Sequence, residues 1–98
     1  MDMDENRWQK LGIREQIGHI TSEIVRAKHW EEKKDMASRN QALERALELI
    51  DKTVQFCSPS RRHEISRFRE ATSHCLAESD TYDISLEDLE HYGLSHLT

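Results

Sequence analysis

An all-α fold, a small bundle of three main helices plus a short C-terminal helix, is what this 98-residue sequence predicts. Three observations carry the prediction. Apolar side chains recur at alternating steps of three and four in three successive segments: Ile13, Ile17, Ile20 and Ile24, then Leu43, Leu47, Ile50 and Val54, then a weaker third run of Ile65, Phe68, Thr72 and Cys75. Because an α-helix turns every 3.6 residues, that spacing keeps each set on one narrow stripe that a neighbouring stripe can cover. Helix punctuation falls between and after these segments, at Ser58-Pro59 and at Gly93. No stretch shows the period-two alternation of a strand.

The elements follow in order. Residues 1 to 5, Met-Asp-Met-Asp-Glu, form an acidic lead-in whose carboxylates suit the positive end of a helix starting near Asn6. The first helix is expected over residues 6–34. Trp8, Leu11, Ile13, Ile17, Ile20, Ile24, Val25, Ala27 and Trp30 build its broad stripe, over about 40 Å at the usual rise. Gly12 and Gly18 lie inside it, each at a cost of about 1 kcal/mol against alanine, and either permits close helix contact or marks a bend. Lys33, Lys34 and Asp35 interrupt the phase, and a second helix follows over 36–56 with Leu43, Ala46, Leu47, Ile50 and Val54 inward. Proline disfavours helical conformation in the residue before it and suits the first turn of the next helix, so Ser58-Pro59 ends the second helix and opens a third over 59–77. After a polar turn over 79–84, Ser85 with Asp88 three positions on resembles a capping box. The short fourth helix, 85–92, is expected to end where Gly93 takes a left-handed C-cap conformation. The whole chain, 1–98, reads as a single domain.

Composition narrows the function classes. The apolar fraction of 36% is low for a globular chain and the charged fraction of 34% is high, with a mean hydropathy of −0.85. Scattered apolar residues would mean disorder at such values, but their helical phasing argues for an ordered, thin core and for burial against a partner. A net charge of −5 works against general nucleic-acid binding, because phosphate affinity depends on lysine and arginine displacing counterions. Arg69 is the last cation; Glu78, Asp80, Asp83, Glu87, Asp88 and Glu90 follow it. Two cysteines without a CxxC, and no apolar run long enough for a membrane span or a secretory segment, point to a reduced cytoplasmic protein with no membrane partner.

Several constellations invite chemistry. Trp8-Gln9-Lys10-Leu11-Gly12 matches the opening of a tetratricopeptide repeat, but two helices do not fit into the 34 residues such a repeat allows. Glu15, His19 and Glu23 share one helix face and could contribute to a metal site if facing helices supplied further ligands, yet no Glu-x-x-His completes the di-metal pattern. In the plainer reading His19 is a boundary residue, and Glu15 and Glu23 are solvated or pair with Arg26. His74 and Cys75, adjacent on a helix, point about 100° apart and make no dyad. With no glycine-rich phosphate loop and no nucleophile–base pair, neither catalytic residues nor a cofactor or metal is assigned. Arg61, Arg62, His63, Arg67 and Arg69 concentrate positive charge on the third helix, which either meets nucleic acid or faces the acidic C-terminal segment.

The stretch Glu15-Gln16-Ile17-Gly18-His19-Ile20-Thr21-Ser22-Glu23-Ile24-Val25-Arg26-Ala27, followed by Ala42-Leu43-Glu44-Arg45-Ala46-Leu47-Glu48-Leu49-Ile50-Asp51, resembles a group of small, uncharacterised bacterial helical proteins. The resemblance covers the first two helices and an arginine-rich third. It implies a bacterial origin, a cytoplasmic location and a helical bundle, and brings no activity with it.

The functional expectation is a non-enzymatic helical interaction or adaptor protein that acts as a homodimer. Its candidate interface is the long stripe of the first helix, Trp8, Ile13, Ile17, Ile20, Ile24 and Trp30, judged too broad for two shorter neighbours to cover. The alternative is a small nucleic-acid-binding regulator using Arg61, Arg62, Arg67 and Arg69 of the third helix.

Overall fold

In the computed structural model, which describes residues 8, 10–77 and 86–93, the described residues form helices and connecting turns. The helices are α1 (Ile13–Glu32), α2 (Met36–Phe56), α3 (Pro59–Ala77) and α4 (Leu86–Tyr92). The acidic lead-in, the polar turn over 79–84 and the Ser85 cap lie outside the described residues. α1 and α2 form the main packing pair, α3 leans on α2, and α4 bridges α1 and α3.

The first helix is shorter than its sequence pattern suggests. Trp8 and Lys10 are helical, but Leu11 and Gly12 are not, and α1 starts afresh at Ile13 with Gly12 in an extended conformation at its N-cap (φ −69°, ψ 162°). At the break the Leu11 amide donates to the Trp8 carbonyl at 3.1 Å, and buried Gln16 ties the turn to α1: its Nε2 donates to the Trp8 carbonyl at 2.9 Å and to the Leu11 carbonyl at 3.2 Å. The turn swings Trp8 inward, where its Nε1 donates to Thr53 Oγ1 at 3.1 Å near the end of α2. At 20 residues α1 then matches the 21 of α2. That agreement in length, with Trp8 folded over one end and α4 along one side, is why the stripe is covered within a single chain.

α1 and α2 are joined without slack. The Asp35 amide donates to the Trp30 carbonyl at 2.9 Å and the Lys34 amide to Glu31 at 3.0 Å, a Schellman closure of α1. The left-handed position such a closure needs is occupied by Lys34 (φ 61°) rather than by glycine. Asp35 then caps α2, its carboxylate accepting from the Ser38 amide at 3.1 Å and the Ser38 hydroxyl at 2.9 Å. One residue thus serves both helix ends.

The core runs along all three seams. Trp8, Ile17, Ile20, Ile24, Ala27, Ala42, Leu43, Ala46, Ile50, Ile65, Phe68, Leu86 and Leu89 are buried, with Ile13, Leu49 and Val54 packed partly buried against them. Ile65, Phe68, Thr72 and Cys75 are all buried, so the weaker third seam is used in full. The Thr72 hydroxyl makes this possible by donating to the Phe68 carbonyl at 2.8 Å, which leaves its methyl to pack. Val25, expected in the stripe of α1, is instead 43% exposed. It lies one residue beyond Ile24, about 100° round the helix.

Gly93 does not act as a left-handed cap, because no described glycine has a positive φ. Its lack of a side chain answers a steric demand. A Cβ there would stand 2.8 Å from Thr21 Oγ1, and Phe68 and Ile17 close the same space. Gly93, at the end of α4, therefore lies at close range to α1.

Candidate interaction surface

The residues expected to form an interface are, for the most part, the core. Trp8, Ile17, Ile20 and Ile24 have no exposed surface, and Ile13 and Trp30 are half-buried. Aromatic contacts hold both ends of that stripe: Trp8 lies 5.8 Å from the His19 ring, and Trp30 meets His29 edge-on at 5.1 Å. The stripe therefore has little apolar area left to offer a second molecule.

The arginines of α3 are all exposed but do not make one face. At 100° per residue, Arg62 and Arg69 lie on one side, Arg61 points nearer the Ile65 side, and Arg67 points almost opposite. Arg69 is engaged by Asp51 of α2, Nε to Oδ1 at 2.6 Å, and this carboxylate holds its guanidinium above the ordinary value by hydrogen bonding and by charge. Glu64 and Glu70 interleave the cations. Nor does the acidic C-terminal segment, where it is described, simply answer this helix, since Glu90 pairs with Lys28 of α1 at 3.6 Å. Arg67 and Asp88 do line one groove of about 480 Å³ between α3 and α4, floored by Phe68, Leu89 and Tyr92. The Phe68 and Tyr92 rings stack there, 5.9 Å apart.

On the row Glu15, His19 and Glu23, it is Glu23 that forms ion pairs. It binds Arg26 Nη1 at 2.7 Å, as the i,i+3 spacing predicts, and also Arg45 Nε of α2 at 3.0 Å. Among the described residues no three histidine, cysteine or acidic side chains converge as a metal site would require. No helix among them is long and apolar enough to cross a membrane. Cys57 and Cys75 both carry thiols. Burial pushes the Cys75 thiol up, opposed by the Arg39 charge and reinforced by Glu31 and Asp88.

Arg39, absent from every sequence-based expectation, is a hydrogen-bonding centre of the fold. It is buried, and its guanidinium donates to Glu31 Oε2 at 2.8 Å, to Asn40 Oδ1 at 2.8 Å and to the Cys75 carbonyl at 2.9 Å. The Cys75 carbonyl belongs to the last turns of α3, where partners within the helix run out. Arg39 thus ties the end of α1, the start of α2 and the end of α3 together.

What remains outside the core is small and specific. Among the described residues, Val25, Met36 and Phe56 are the exposed large apolar side chains, at 43%, 39% and 37%. Val25 is set in a groove of about 570 Å³ between α1 and α4, with Gly18, Thr21, Ser22, Arg26 and His29 from α1 and Glu90 from α4. This face lies beside the core stripe of α1. The sequence carries it as a second run at steps of three and four, Glu15, Gly18, Ser22, Val25 and His29, muted by its small and polar members. Set against known protein families, curated proteins and solved structures, the chain matches none.

Proposed function

We propose that this chain is a non-enzymatic helical protein–protein interaction or adaptor module that acts as a homodimer in the bacterial cytoplasm. The observation that carries the reading is the apolar surface left over once the core has closed, of which the groove holding Val25 is the part bounded by two helices. A charged, hydrophilic chain that keeps an apolar side chain in such a groove has a use for it in contact with another protein. Both cysteines as thiols suit a reducing compartment.

A second reading has one observation in its favour: Arg61, Arg62, Arg67 and Arg69 all keep solvent-exposed side chains on α3. It makes the chain a small nucleic-acid-binding regulator. Light scattering and a gel-shift assay at low salt separate the two. The interaction reading expects a species of twice 11.6 kDa and no shift with DNA or RNA. A monomer that shifts nucleic acid in a salt-sensitive way, with the shift lost on replacing Arg61, Arg62 and Arg67 by alanine, would replace the first reading by the second.

A further inference from the structure

We infer that the homodimer forms through the outer face of α1, packed antiparallel against the same face of a second copy, with each Val25 seated over the other copy's Gly18. The inference rests on the homodimer reading above and names the surface it uses.

Gly18 poses the problem that the proposal answers. It sits in the interior of α1, where glycine is the least helix-favouring residue after proline. Nothing lies within 4 Å of the position a Cβ would take, so no neighbour in the monomer requires the missing side chain. Two turns further along the same face stands Val25, the most exposed large apolar side chain described. One helix thus carries an unfilled hollow and an uncovered knob, about 10 Å apart at the usual rise.

A two-fold axis beside Ser22 satisfies both at once. The run Glu15, Gly18, Ser22, Val25 and His29 has the spacing of a helix-packing seam. Reversed against itself, it sets Gly18 opposite Val25, Val25 opposite Gly18, and Ser22 opposite Ser22. The same register brings Glu15 at one end opposite His29 at the other, twice, so an acidic group meets a hydrogen-bond donor instead of its own kind. Desolvation at the centre is mild. The Ser22 hydroxyl already donates to the Gly18 carbonyl at 2.9 Å and the Thr21 hydroxyl to Ile17 at 2.8 Å. Glu90 on the α4 wall of the groove is likewise held by Lys28.

Sedimentation velocity of the full chain at tens of micromolar, beside circular dichroism, tests the register. The wild type is expected to sediment as a dimer. Gly18→Leu should keep or raise the helical signal, because the new side chain enters open space and glycine leaves the helix, while dimer affinity falls at least about tenfold. Val25→Lys, at a site already exposed, should weaken the dimer similarly. Glu15→Lys should weaken it, and adding His29→Glu should restore it. A wild type that is monomeric throughout overturns this inference together with the homodimer reading. A wild-type dimer unmoved by both Gly18→Leu and Val25→Lys overturns the outer-face register alone and leaves the homodimer to another surface.

Discussion

Arg39 shows how one side chain can close a bundle that is short of apolar residues. Its three hydrogen bonds join α1, α2 and α3 through Glu31, Asn40 and the Cys75 carbonyl. Removing it deletes the ties to Glu31, to Asn40 and to the Cys75 carbonyl together. Arg39→Ala should therefore cost about 3 kcal/mol in urea unfolding, and Arg39→Lys should recover little, since an ammonium lacks the planar fork that reaches three acceptors. The residue was visible in the sequence but easily passed over. It lies four positions before Leu43 and seven before Ala46, on the apolar stripe of α2. A stripe extended one turn backwards would have flagged a cation in a core position. Thr53, three after Ile50, is the same kind of signal at the other end, a polar side chain on the buried face whose hydroxyl donates to Leu49 at 3.0 Å and accepts from Trp8.

Among the elements, the α1–α2 pair is the most tightly specified and its junction contains an evident inefficiency. Lys34 occupies a left-handed conformation that costs a residue with a Cβ about 1–2 kcal/mol relative to glycine. Lys34→Gly should raise the free energy of unfolding by about 1 kcal/mol with no change in secondary structure by circular dichroism. The interruption at Lys33-Lys34-Asp35 was legible as a loss of apolar phase, and Pro59 could be read directly as a helix start. The restart of α1 at Ile13 was not. Gly12 is compatible with a helix interior and with an N-cap, and only the tertiary bonds of Gln16 and Trp8 choose between them. The difference in length bears on the function: a helix unbroken over 6–34 would have spare surface on its isoleucine face, whereas one of 20 residues spends that face on its neighbours.

At the scale of the molecule, the core is single and continuous, and its polar members are accounted for: among the described residues no buried side-chain nitrogen or oxygen lacks a hydrogen-bond partner. Global stability should fall in alkali through Cys75. Its thiol is held above the ordinary value of 9.0 mainly by burial, so the folded state keeps a proton that the unfolded chain releases. The associated stability is complete below that value and is lost as pH rises toward the folded-state value. Urea midpoints measured across that range should decline for the wild type, with a shallower decline for Cys75→Val. The all-helical class was legible because three periodic stripes repeat one signal, while the candidate contact face of α1 was not, because a seam built from Glu15, Gly18, Ser22 and His29 looks like ordinary surface until its neighbours are seen. The inward turn at Leu11–Gly12 has one more consequence, an optical one. It places Trp8 in a dry site against Thr53 while Trp30 stays half in water, so the two indoles should differ in emission wavelength and in quenching by acrylamide. The chain carries two indole fluorophores, one reporting the seating of Trp8 and the other the far end of α1.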